Sequence, residues 1–147
     1  MFRNRIFSGE ALMSIWYGLE NGIPTADMSP GEFVPTDQNQ LQWPKWGQHY
    51  QTKGEAGTAP DEPEAKRVME LFEDWREARS TEERRAAWHE ILQIYGDQVY
   101  SIGLIGGILQ PVVAREDLRN LPEEALFNWE PGAQIGIYRP DTFWFDD

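Results

Sequence analysis

The chain has 147 residues, the size of one ordinary domain, and this length disfavours a multidomain enzyme. Its 40% hydrophobic and 13% aromatic content, with seven Trp, supplies the bulk for a core and excludes wholesale disorder. Twenty-five acidic against thirteen basic residues give a formal charge of −12, a field that repels polyanions and removes nucleic acid from the expected partners.

With no Cys, the chain has no disulfide, thiolate metal site or Cys nucleophile. Its two His, His49 and His89, are too few and too isolated for a histidine zinc site, so no metal and no cofactor are expected. No stretch approaches the roughly 20 apolar residues that span a bilayer. The opening residues carry Arg3 and Arg5 but lack the continuous apolar region and small-residue cleavage site of a secretion signal. The expectation is a cytosolic protein or a chain that begins inside a longer one.

In chain order, residues 11–17 are rich in large apolar side chains and end before Gly18; the run predicts a buried strand within a 1–18 strand region. Residues 19–63 hold six of the ten Pro and little periodicity, which predicts a loop far longer than an ordinary connection. Within it, residues 39–50 are dense in amphipathic rings, including Trp43, Trp46 and Tyr50, and are expected to be buried or at a contact.

A helix pair spans 64–97. Val68, Leu71, Phe72 and Trp75 form one apolar stripe, with Pro63 at the first turn and Asp61 and Glu62 before it. Ser80 and Glu83 fit a capping box that starts the second helix. Ala87, Trp88, Ile91, Leu92 and Tyr95 face inward, and Gly96 is the expected terminator. Residues 99–105 and 108–114, within 98–114, read as strands around a Gly106-Gly107 hairpin turn, with Pro111 marking an edge strand or a bulge. The tail, 115–147, reads as irregular and pinned by its rings. The fold class is α/β: a helix pair, a few strands and long irregular segments, taken as a single domain.

The order of these features resembles the C-terminal part of extracellular solute-binding proteins of ABC importers, the oligopeptide, dipeptide and nickel family. The likeness is carried by Leu19-Glu20-Asn21-Gly22-Ile23-Pro24 after an aromatic strand and by the Glu82-Glu83-Arg84-Arg85 helix running to Glu90-Ile91. Leu118-Arg-Asn-Leu-Pro-Glu-Glu124 follows the strand pair, and the closing phrases 128–133 and 136–145 complete the set. The resemblance covers essentially the whole chain but only the last part of a family member. It implies a C-terminal fragment of a two-lobed periplasmic-binding fold of type II, without most of the first lobe. The intact parent, periplasmic or extracellular, would capture a small polar, peptide-like solute and deliver it to an ABC permease. The fragment would expose an apolar face and self-associate.

By motif position, the resemblance puts Glu20 in the loop whose acid meets a ligand's amine, with Asn21 beside it. As a residue alone, Glu20 is equally a solvated loop acid, and Glu replaces the commoner Asp. Trp16 and Tyr17 could line the cleft, although strand alternation lets only one of them face it. Trp43 and Trp46 could meet ligand or pack the loop. His89 reads as a surface residue and His49 lacks a carboxylate at ligand spacing. No nucleophile motif, phosphate loop or isolated acid pair is present, so no enzyme activity is expected. The rival reading is a free-standing acidic interaction module that docks a protein through its aromatic loop.

Overall fold

A computed structural model describes residues 2–16, 25–104, 109, 111–125 and 138–146. The chain divides into two compact units, one of residues 1–16 and 25–102, the other of 17–24 and 103–147.

The first unit is built on the expected helix pair, α3 (Pro63–Glu77) and α4 (Thr81–Gln98). Pro63 occupies the first turn of α3, where its missing amide costs nothing. Ser80 caps α4: its Oγ accepts from the Glu83 amide at 3.2 Å. Glu83 reciprocates one residue further back than a standard capping box, its Oε2 accepting from the Arg79 amide at 2.6 Å. Gly96 does not end this helix. The chain stays helical to Gln98, and the left-handed residue that stops it is Val99, at φ 53, whose amide donates to Tyr95 O at 2.9 Å. Leu92 is not inward either. The buried stripe is Ala87, Trp88, Ile91 and Tyr95, and Leu92, a further 100° around the helix from Ile91, is 49% exposed.

The third wall of the core comes from the region expected to be loop. Residues 25–63 contain a 3₁₀ turn, Pro30–Phe33, and α2, Pro44–Gln51, each started by a proline at its first turn. Pro30, Val34 and Pro35 are fully buried. Val34 joins Val68, Leu71, Ile91 and Tyr95 in the core, with Phe33, Trp43 and Phe72 packed against it. Four of the six prolines of 19–63 therefore have structural places, Pro30, Pro44 and Pro63 at helix starts and Pro35 at a buried corner. Gly47 is buried where α2 crosses the backbone of Asp37 and Gln38.

The expected strand at 11–17 is not formed among its described residues. Instead Phe2–Phe7 make a short helix, α1, closed by Gly9 at φ 81, with Gly9 N donating to Ile6 O and Glu10 N to Arg5 O. Beyond it Leu12, Met13 and Ile15 are 103%, 84% and 73% exposed and make no described backbone hydrogen bond. A strand exists only with a neighbour, and these residues have none among those described.

In the second unit, β1 (Leu118–Arg119) pairs antiparallel with β2 (Trp144–Phe145), Leu118 opposite Phe145. The Arg119 guanidinium binds Asp146, and Asn120, left-handed at φ 65, donates to Thr142 Oγ1 at 2.8 Å in the 3₁₀ turn Pro140–Thr142. The tail thus contains a short ladder where no regular structure was expected. Of the predicted strands at 99–105 and 108–114, the described residues are not strands; the Gly106-Gly107 turn lies outside the described residues. Among the described residues the architecture is mainly helical, and no helix is long and apolar enough to cross a membrane.

Candidate functional site

The first unit gathers its rings into one cluster. Phe33 meets Tyr95 edge-on at 4.7 Å and Trp88 at 5.5 Å between centroids. Trp43 stacks on Trp46 at 5.9 Å and meets Tyr100 edge-on at 4.9 Å and Tyr95 at 5.9 Å. These geometries follow the ring quadrupole, which favours edge contacts and offset stacks. Polar tips are satisfied: the Tyr95 hydroxyl donates to Gln42 Oε1 at 2.9 Å, and Gln42 Nε2 donates to Tyr100 O at 3.3 Å. Burial holds the Tyr95 phenol far above its ordinary value, with Tyr100 and Glu32 adding to the effect. Tyr100 is pushed up to about 12, by burial first and then by Glu62, which accepts its hydroxyl proton. Both phenols are neutral at physiological pH, so the cluster offers rings and hydrogen-bond donors, not a base.

Three side chains of the helix pair, Trp88 of the ring cluster among them, grip residues 25–29. Trp75 Nε1 donates to Ala26 O and Trp88 Nε1 to Met28 O, each at 2.8 Å. Between them Arg84 Nη1 pairs with Asp27 Oδ1 at 2.7 Å, its guanidinium carbon 5.6 Å from the Trp75 ring centre. Arg84 Nε is buried without a hydrogen-bond partner among the described residues.

A bidentate pair ties the two helices: Arg67 Nε and Nη2 donate to Glu90 Oε1 and Oε2 at 2.7 and 3.1 Å. That bond holds the Glu90 carboxyl below its ordinary value and raises Arg67 further. His89 is exposed on α4 and His49 half-buried on α2. No three His, Asp or Glu side chains converge as metal ligands among the described residues. One concavity, about 870 Å³, is a shallow depression along the outer face of α4 over Arg85, His89, Glu90 and Gln93, where charges of both signs alternate. A crevice of about 180 Å³ lies by Phe7, Pro44 and Lys45.

The expected ligand-binding residues fare differently. Tyr17, Glu20 and Asn21 lie outside the described residues. Trp16 is half-exposed, stacked on Phe2 at 5.8 Å with the Arg3 guanidinium 5.1 Å from its ring centre, so one of its faces is occupied by α1. Trp43 and Trp46 are brought together, but by packing: Trp43 is spent on the core rings, and Trp46 on Trp43. Sequence reasoning missed the grip on residues 25–29 and the part played by Gln42. The available signal was the spacing of Trp43, Trp46, Gly47 and Tyr50, one face of a helix whose glycine hides the pattern. Comparison with protein-family models, with curated proteins and with solved structures finds no match.

Proposed function

We propose that this chain is the C-terminal part of an extracellular solute-binding protein of an ABC importer. The intact parent holds a small polar, peptide-like solute between two lobes and presents it to a membrane permease. Closure of the lobes is driven by ligand contacts that differ between the open and closed states. The reading starts from the ordered likeness running from Leu19-Glu20-Asn21-Gly22 to the closing aromatic phrases.

The observation that carries it is a set of exposed apolar segments with no sheet pairing among the described residues. Ile102, Leu104, Leu109, Val112 and Val113 are 64–97% exposed, as are Leu12, Met13 and Ile15 at 73–103%. Residues 101–104 and 111–114 make no backbone hydrogen bond among the described residues. Side chains of this kind favour a pleated, half-buried surface, and each would gain roughly 1.5–3 kcal/mol on full burial. A chain that carries sheet-forming sequence without sheet neighbours fits a polypeptide whose partner strands belong to the rest of a larger protein. Trp16, Tyr17, Glu20 and Asn21 are the residues assigned to the solute; Trp43, which packs against the core, and Trp46, stacked on it, are weaker candidates. The rival reading is a docking module working through its aromatic loop.

Light scattering with calorimetric titration tests the proposal. The 147-residue chain is expected to self-associate and to give no saturable heat with dipeptides, tripeptides or Ni²⁺, because one wall of the cleft is insufficient. A monodisperse monomer whose amides at 101–104 and 112–114 are protected as strongly as those of α4 overturns it, as does tight binding of any of these ligands.

A further inference from the structure

The grip on residues 25–29 has the form of a latch. Thr25, Asp27 and Ser29 are exposed and Ala26 and Met28 half-buried, so the segment contributes little apolar surface to the core. Its attachment runs instead through directional contacts: two indole N–H groups on alternate carbonyls, Ala26 O and Met28 O, and a cation on the side chain between them. The Arg84–Asp27 pair is open to solvent, with side chains 35% and 57% exposed. Immediately after the segment the character changes, since Pro30, Val34 and Pro35 are fully buried and anchor the chain in the core. A five-residue segment held by one exposed ion pair and two part-buried hydrogen bonds, next to deep burial, is the arrangement from which local opening proceeds without global unfolding.

We propose that residues 25–29 form a strap that detaches from the helix pair as a unit, with Arg84–Asp27 as its salt-sensitive catch and Trp75 and Trp88 as its two hooks. The inference does not rest on the solute-binding reading and can fail or succeed without it.

Hydrogen exchange on the full chain tests it, in wild type, Arg84→Gln and Asp27→Asn; the second variant leaves both helices untouched. Reporters are the Trp75 and Trp88 indole protons, which donate to Ala26 O and Met28 O. Both variants are expected to speed exchange at these two positions roughly three- to tenfold, the scale of losing one exposed ion pair with its hydrogen bond, while central amides of α3 and α4 keep wild-type rates. High salt is expected to move wild type the same way. Unchanged exchange at the strap in both variants overturns the proposal, and so does acceleration of α3 and α4 in step with it in Asp27→Asn.

Discussion

Two glycines in helices respond in opposite directions to the same substitution. A Cβ at Gly47 would overlap the carbonyl of Asp37 and lie 2.8 Å from Gln38 N. All of these are backbone atoms, so no side-chain rotation relieves the overlap and α2 must move off the 37–38 segment. Overpacking of this kind costs about 1–3 kcal/mol, here at the upper end; the helix preference of Ala over Gly returns about 0.5–1 kcal/mol, leaving a net loss of about 2 kcal/mol. A Cβ at Gly96 meets nothing within 4 Å, so Gly96→Ala keeps the propensity gain alone, about 0.5–1 kcal/mol. In a cooperative unit of about 90 residues each kcal/mol moves Tm by about 4–8 °C. Gly47→Ala is therefore expected to melt about 10 °C lower and Gly96→Ala a few degrees higher, followed by circular dichroism with heat and with urea. Gly47→Ala as stable as wild type would refute the close crossing of α2, and a destabilised Gly96→Ala would show that the helix does not run through that position.

Val99 holds a β-branched side chain in the left-handed region while 59% exposed. Val99→Gly is expected to raise stability by about 0.5–1 kcal/mol, relief of the conformation exceeding the added chain entropy; a lower urea midpoint contradicts this. Ile91 is fully buried at the centre of the core. Ile91→Val is expected to cost about 0.5–1.5 kcal/mol and Ile91→Ala about 2–5 kcal/mol by urea denaturation, and equal effects would place the residue outside the core. The Tyr100 phenol, pushed up from 10.0 to about 12, favours the folded state fully below pH 10, and that contribution is lost as pH rises through 12. Urea midpoints are expected to fall across this window, less steeply in Tyr100→Phe, and parallel profiles would count against burial of the phenol. Arg67→Met is expected to return the Glu90 carboxyl toward its ordinary value by NMR titration, at a stability cost under about 1 kcal/mol for so exposed a pair.

The helix pair was legible because its signals are local: a stripe at helical spacing, Pro63 at a first turn, and Ser80 with Glu83 three residues later. The end of α4 was misread because glycine permits a left-handed turn without compelling one, and the chain took that turn at Val99. α2 escaped notice because its apolar face includes Gly47, whose value lies in a crossing with residues ten positions earlier, which no periodicity reveals. The strands expected at 11–17 and 99–114 follow from side-chain preference, but pairing is a property of two segments, and the described residues contain no second one for them. Of the candidate site, the rings of Trp43 and Trp46 were read as buried or at a contact; Trp46 stacks on Trp43, while the rings that meet Trp43 edge-on, Tyr95 and Tyr100, lie about fifty residues further on and could not be read from spacing.

The links that close the first unit join distant positions: Ala26 to Trp75, Met28 to Trp88, Gln42 to Tyr95 and to Tyr100. A ribosome releases the chain from its amino end, so the prolines, Trp43 and Trp46 emerge well before the surfaces that shelter them exist. The helices can wind within microseconds once synthesised, yet the arm of residues 25–51 has to wait for Tyr95 and Tyr100 to leave the exit tunnel before it can dock. Nascent chains arrested short of residue 100 therefore display bare indoles, and their yield in a cell depends on how quickly translation carries them past that point.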